Sequence, residues 1–262
     1  MADLDKYVPW ALLFGTTSVP FKNLSIQNEN TEEAVRSDGA TLPELMAVLQ
    51  KKPVLRATIL DPSLVTDFQA VETGETFTLV KAVWRAVSEE GGPAGAYVSA
   101  TISKGAMLPV SMSSNFETIA TMDIEVRARF TAGSAIVIGT DSATRSTTDK
   151  AYRASSLVIG SDTVTNIQSA TANWNYGLIQ EEMLEPDHYG YTELNLEGSA
   201  ELSDVSLVNA ARLEDGVEET VTLTLTDLET PANTTQIAFG NCFVKAQLSG
   251  PNASFSWTKL AT

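Results

Sequence analysis

A stretch of ten residues occurs twice in this chain, and the duplication limits the fold to arrangements that accept two similar units. Arg56-Ala57-Thr58-Ile59-Leu60-Asp61-Pro62-Ser63-Leu64-Val65 aligns with Ser199-Ala200-Glu201-Leu202-Ser203-Asp204-Val205-Ser206-Leu207-Val208 at an offset of 143. Val71-Glu72-Thr73-Gly74 then meets Leu213-Glu214-Asp215-Gly216 at offset 142, and Thr76-Phe77-Thr78-Leu79 meets Thr220-Val221-Thr222-Leu223 at offset 144. Upstream, Phe14-Gly15 and Val19 meet Ile159-Gly160 and Val164 at offset 145. Four matches in one order, with offsets drifting by three residues, point to tandem duplication. Divided that way, the chain gives a first module over 1–130, a Gly-, Ser- and Thr-rich linker over 131–156 and a second module over 157–262. Each module is near the common domain size of about 100–150 residues and long enough to bury its own core.

Period-two alternation predicts strands in both modules. Val221, Leu223 and Leu225 alternate with Thr222, Thr224 and Thr226. Met122, Ile124, Val126, Ala128 and Phe130 alternate with Asp123, Glu125, Arg127 and Arg129, and Phe255 and Trp257 do likewise. The counterpart in the first module, Phe77 to Trp84, is apolar on both faces, as a strand covered on both sides would be. A helix is expected before each alternating strand. In the first module Asp61-Pro62-Ser63 supplies a cap and a proline at the first position, Leu64, Val65 and Phe68 supply an apolar face, and Gly74 the stop. In the second, Ser203-Asp204 starts it, Val205, Leu207, Val208 and Ala211 form its face, and Gly216 closes it. Long polar excursions precede these helices, over 27–43 and 173–192, and a short helical stretch is expected over 43–50. The resulting fold class is α+β, mostly β: two tandem β-sandwich or barrel-like modules, each with one flanking helix and a long loop.

Composition removes several functions. Net charge is −16, from 33 acids and 17 bases, unevenly spread: 16 acids against 11 bases in residues 1–130, and 17 against 6 in 131–262. Gripping nucleic acid needs clustered cations, and Lys51-Lys52 is the longest basic run. With one histidine, His188, and one cysteine, Cys242, neither a hydrolytic triad nor a zinc site has its ligands. The glycine at Gly15 is not followed by a phosphate-loop lysine, and no Asp-x-Asp-x-Asp-Gly calcium loop occurs. Carboxylate pairs such as a glycosidase needs are numerous but lie in polar stretches where acids are solvated. No catalytic residue, metal ligand or cofactor site is therefore expected. Cys242, in an apolar stretch, reads as a buried small hydrophobe. No signal peptide and no apolar run long enough for a membrane helix is expected.

A mostly β unit has strand edges, and exposed edges pair. Copies joined head to tail close into rings where the rotation allows. The Ser63–Val65 helix leading through Gly74 into the Phe77–Leu79 strand, the long loop before it, and the closing Ser249-Gly250-Pro251-Asn252-Ala253-Ser254-Phe255-Ser256-Trp257 together resemble the tail tube (major tail) proteins of long-tailed bacteriophages. The resemblance implies a structural virion protein, assembled in the host cytoplasm, whose rings stack into the tube through which phage DNA passes. Most members carry one module and form hexameric rings; two modules here imply a homotrimeric ring of pseudo-sixfold symmetry that also contacts other tail proteins. The long loops would contact neighbouring rings, and the expected interface residues are Trp174, Tyr176, Tyr189 and Tyr191 with Glu32, Glu33 and Arg36. The aromatic four could equally be core rings of the second module. An acidic lumen would repel phosphates and let DNA pass without specific binding. Another virion component (tail terminator, neck or capsid decoration protein) and a tandem carbohydrate-binding or adhesin module remain as alternatives.

Overall fold

Alternation of apolar and polar residues makes most of the described chain antiparallel sheet. The computed structural model describes residues 6–35, 45–66, 69–71, 79–87, 93–130, 133–145, 150–180 and 189–260. In order, the strands are β1 (Lys6–Phe14), β2 (Thr17–Val19), β3 (Phe21–Asn28), β4 (Thr31–Val35), β5 (Leu45–Gln50), β6 (Pro53–Ile59), β7 (Gln69–Val71), β8 (Val80–Val87), β9 (Pro93–Ile102) and β10 (Gly105–Asn115). There follow β11 (Thr118–Ala128), β12 (Val137–Gly139), β13 (Tyr152–Ile159), β14 (Asp162–Val164), β15 (Ile167–Gln180), β16 (Tyr189–Leu202), β17 (Val217–Asp227), β18 (Thr234–Ser249) and β19 (Asn252–Lys259). One sheet runs β12-β9-β8-β1-β2. A longer one runs β14-β13-β17-β18-β19-β16-β15-β10-β11-β6-β3, with β7 also on β10, and β4–β5 is a separate hairpin.

The strand β18 belongs to two parts of the long sheet. Thr234–Val244 pair with β17 and Cys242–Ser249 with β19. Its register with β17 shifts beside Gly240, whose φ of 76° is open to glycine at little cost. The buried faces meet in one apolar cluster. Leu12, Phe14, Val80 and Ile102 from the five-stranded sheet join Leu55, Ile59, Met122 and Ile124, then Leu157, Val221, Trp174, Phe255 and Trp257.

Two of the four sequence matches reappear as repeated strand register, whereas the other two do not: Phe14↔Val80 in β1–β8 corresponds to Ile159↔Val221 in β13–β17, an offset of 141 rather than 144, and Val71 lies in β7 while Leu213 lies in a short helix. Leu12↔Val19 and Phe14↔Thr17 in β1–β2 match Leu157↔Val164 and Ile159↔Asp162 in β13–β14. The turn glycines, Gly15 and Gly160, have φ of 60° and 62°. Phe21↔Ile59, a one-residue slip, then Asn23↔Thr58 in β3–β6 match Ile167↔Leu202, a slip, then Ser169↔Glu201 in β15–β16. After each of these strands an Asp-x-Ser turn recurs. The Ser63 amide donates to Asp61 Oδ1 at 3.1 Å, and the Ser206 amide to Asp204 Oδ1 at 2.8 Å. Three backbone links recur too: Gly15 N to Leu79 O and Gly160 N to Thr220 O; Leu60 N to Pro20 O and Ser203 N to Asn166 O; Arg129 N to Lys104 O and Leu260 N to Asn241 O.

Several local expectations fail. The first expected helix is one 3-10 turn, Pro62–Leu64, capped by Asp61 and ended at an extended Val65; Phe68 and Gly74 lie outside the described residues. The second is a short α1, Ala210–Glu214, capped by Asn209 rather than by Ser203-Asp204. The Asx turn at Asp204 uses that side chain locally, so the chain turns before it can wind. Residues 45–50 form β5, not a helix: paired with β4, the segment satisfies its backbone across the hairpin. The supposed polar excursion over 173–192 contributes largely to β15 and β16, whose Thr, Asn and Glu residues are the wet face of a two-sided hairpin.

Arg212 and Cys242 are buried in the second half. Arg212 is 2 % exposed and bonds Glu219 (2.7 Å to both oxygens), Asp162 (3.1 Å), Leu207 O and Ile159 O. It ties α1 to the β13–β14 hairpin with every bond charge-assisted. Cys242 is fully buried, and burial pushes its thiol from 9.0 up to about 11. Below pH 9.0 the thiol is neutral folded or unfolded. Above it the unfolded chain ionises first, so this residue's contribution to stability is lost as pH rises toward 11. A Cys242→Ala variant should therefore show a shallower loss of stability between pH 9 and 11 than the parent; identical slopes in denaturant titrations would refute the assignment.

Candidate assembly edges and the polar face

Eight consecutive strands of the long sheet, β18-β19-β16-β15-β10-β11-β6-β3, share one polar face. Along β11, Met122, Ile124 and Val126 are buried while Thr121, Asp123 and Arg127 point the other way. Cross-strand register carries that parity onward, from Asp123 to Ser111, from Ser111 to Asn173, from Asn173 to Glu197 and from Glu197 to Thr258. The face is built mainly from Ser, Thr, Asn, Gln and a few charges, with Phe243 opposite Thr258 and the exposed Val110 among them. Its hydroxyls bond one another or carboxylates: Thr171 to Ser199 at 2.8 Å, Ser111 to Asp123 at 2.9 Å, Thr58 to Asp123 at 2.7 Å.

The charges on this face nearly cancel. Asp123, Glu125, Glu197 and Glu201 stand against Arg56, Arg127 and Lys245. Arg56 reaches Glu125 at 3.1 Å and also bonds Glu29, and Arg127 reaches the other Glu125 oxygen at 2.5 Å. Glu29 and Glu125 raise the Arg56 guanidinium against the lowering effect of its burial. Most of the acidic surplus of the chain therefore lies elsewhere.

The two halves of the chain meet edge to edge within this run. Ser111–Asn115 of β10 pair antiparallel with Ser169–Asn173 of β15. By register, β15 is the counterpart of β3, and β10 the counterpart of the second half of β18: Ser111↔Asp123 and Met112↔Met122 correspond to Gln247↔Ser254 and Leu248↔Ala253. The strand type at each outer end of the run is thus the type that is joined in the middle. Among the described residues β3 has no partner beyond β6, and β18 past Val244 has none beyond β19. Side-chain exposure follows. Met112 and Ala172, opposite each other at the joint, are 1 % and 0 % exposed, whereas Leu248, the counterpart of Met112, is 49 % exposed.

The expected interface residues are scattered. Trp174 is 4 % exposed in the apolar cluster, so its ring is a core ring and not an interface one. A Trp174→Ala chain should lose about 3–5 kcal/mol of stability, read as a lower denaturant midpoint; an unchanged midpoint would contradict the burial. Tyr176 packs partly buried against the same cluster. Tyr189 and Tyr191 lie in β16. Glu32 and Glu33 are exposed on β4, while Arg36 and His188 lie outside the described residues. None of these brings a partner edge into view, and the residues that do, Leu248 and Ile26, were not singled out by pattern. No protein-family model matches this chain, and no curated protein matches it.

Proposed function

We propose that this chain is a duplicated ring subunit whose copies close head to tail and stack into a tail tube, with the polar face lining the channel. The observation that carries the reading is the β10–β15 joint and its unpaired counterparts. What one half does to the other within the chain, the free β18 edge does to the β3 edge of the next copy. Transferring the internal register sets Gln247 opposite Gln27, Leu248 opposite Ile26 and Ser249 opposite Ser25. Such a contact is heterologous, so it propagates until it closes. The resemblance to tail tube proteins supplies the count: six modules, hence three chains. The module pair, a sandwich over about 1–130 and another beginning near β13, belongs to this proposal, as do its place in the virion tail and a structural rather than catalytic role.

Dimensions agree with passage of a nucleic-acid duplex. Three copies of the eight-stranded run, at about 4.8 Å between strands and a tilt of roughly 40°, give a closed barrel about 150 Å around and about 48 Å across at the backbone. A channel lined by hydroxyls and few, scattered cations offers phosphates no cation cluster, so few counterions are released and nothing holds the duplex. Neutrality, rather than the acidic repulsion expected from net charge, is then what lets DNA pass. Negative-stain imaging of the purified protein tests the reading. Uniform rings or tubes with threefold subunit content support it; single rings that never stack indicate a terminator; a persistent monomer at high concentration overturns it.

A further inference from the structure

A groove of about 460 Å³ opens at one end of the first half, walled by Ile26, Val48, Pro53, Phe130, Ile136 and Ile138. It begins on β3, the free edge, and its apolar wall is partly exposed: Val48 is 40 % and Ile138 66 % exposed. Lys51 lies over the Phe130 ring at 5.6 Å. Nothing in the ring closure described above yet fills this groove.

The second half shows what belongs there. Its smaller groove, about 220 Å³, is lined by Trp174, Leu196, Gln236, Ile237, Ala238 and Lys259, together with Thr66 from the first half. Trp174 and Leu196 are the register counterparts of Asn28 and Pro53, both of which line the larger groove. The two grooves therefore share this wall of the repeated unit, and differ in that Ile136 and Ile138 line only the larger one. In the second half, the turn that follows β6 reaches it from the neighbouring half: Pro62–Leu64 lie beside β18 and Thr66 lines the groove. The counterpart of that turn is Val205 to Asn209, built on the same Asx geometry at Asp204. It has no following half to pack on, and Val205 is 45 % exposed where its counterpart Pro62 is buried.

Resting on the head-to-tail ring, we infer that the first-half groove is the seat for the Val205–Asn209 turn of a second copy. The apolar wall and the exposed valine are complementary, and covering both removes apolar surface from water at each joint. The seat lies beside the strand pairing and adds side-chain packing to a contact otherwise made of backbone bonds, which fixes the angle between successive copies. It also accounts for the size difference: the groove with its plug inside the chain is small, and the one that awaits a plug is twice as large.

Val205→Asp and Ile138→Asp test the seat, because both side chains are exposed and neither should disturb the fold. Each should raise the concentration needed for assembly by roughly tenfold or more, with thermal unfolding of the monomer unchanged. The double variant Val205→Asp with Ile138→Lys should recover much of the loss. As a second measurement, a Val205→Cys, Ile138→Cys chain should form disulfide-linked multimers on oxidation of assembled protein; Cys242 is buried and does not compete. Normal assembly by both aspartate variants, or assembled rings without cross-links, would overturn the seat while leaving the ring standing. A parent chain that never assembles would overturn both.

Discussion

Leu248→Pro should give a folded monomer that does not form the proposed rings. The reason lies in the hairpin. Gly250 (φ 62°) and Pro251 make a two-residue turn closed by Ser249↔Asn252, and that closing pair exchanges its hydrogen bonds across the hairpin. The next residue, Leu248, must turn its own N–H and C=O away from β19, toward the free edge. Proline there removes one outward donor and costs β18–β19 nothing, and edge strands accept proline for that reason. At a ring joint the same substitution removes a backbone bond worth about 1 kcal/mol and most of a leucine burial worth about 2 kcal/mol. Together these correspond to about a hundredfold in association at every joint. Met112→Pro, at the counterpart position inside the chain, should instead unfold the protein, since its joint is intramolecular and Met112 is fully buried. Sedimentation of the two variants beside the parent separates the cases. A Leu248→Pro chain that assembles at the parent's concentration would eliminate the edge pairing.

The repeat was the most legible feature, for a physical reason. Arg56–Ile59 and Ser199–Leu202 occupy the same register positions in β6 and β16, and the Asp-x-Ser that follows makes the same turn twice. The same backbone geometry at both places suits the same residue types, which is why the offset is visible in the sequence. Alternation in β11, β17 and β19 was equally clear, because Ile124, Leu223 and Phe255 each bury on one face only. The β15–β16 hairpin was obscured by small residues on its apolar face: Ala170, Ala172 and Ala200 are buried but carry little hydrophobic signal, and the Asn, Thr and Glu between them dominate the pattern. Gly198 adds to this. Its absent side chain makes room for the Trp257 ring, which lies 2.5 Å from where a Cβ would be. The edges themselves could not be read from pattern. A strand with one wet face looks the same whether its backbone is paired or free, and only the order of strands in the sheet separates β3 from β15.

Glu197→Lys, Ser199→Lys and Glu201→Lys together should turn a passive channel into one that holds DNA. All three sit on β16 in the middle of the polar face; Ser199 and Glu201 are exposed and Glu197 half-buried. The bonds lost are weak surface ones, from Asn252 to Glu201, from Asn195 to Glu197 and from Thr171 to Ser199, so folding should survive. A ring of three such chains gains nine lysines on one band of its wall. If six to ten phosphates are met, binding should fall by about a thousandfold to a hundred-thousandfold between 50 and 200 mM salt. The parent should show no such binding, since the cations on this face, Arg56, Arg127 and Lys245, are few and two of them are held by Glu125. Topology of the DNA decides where the face lies. A short linear duplex can enter an open tube, whereas a closed circular duplex cannot be threaded. Retention of the linear form alone puts the polar face in the lumen. Equal retention of both forms would place it on the outside of the assembly, and the channel reading would fall even if the rings remain.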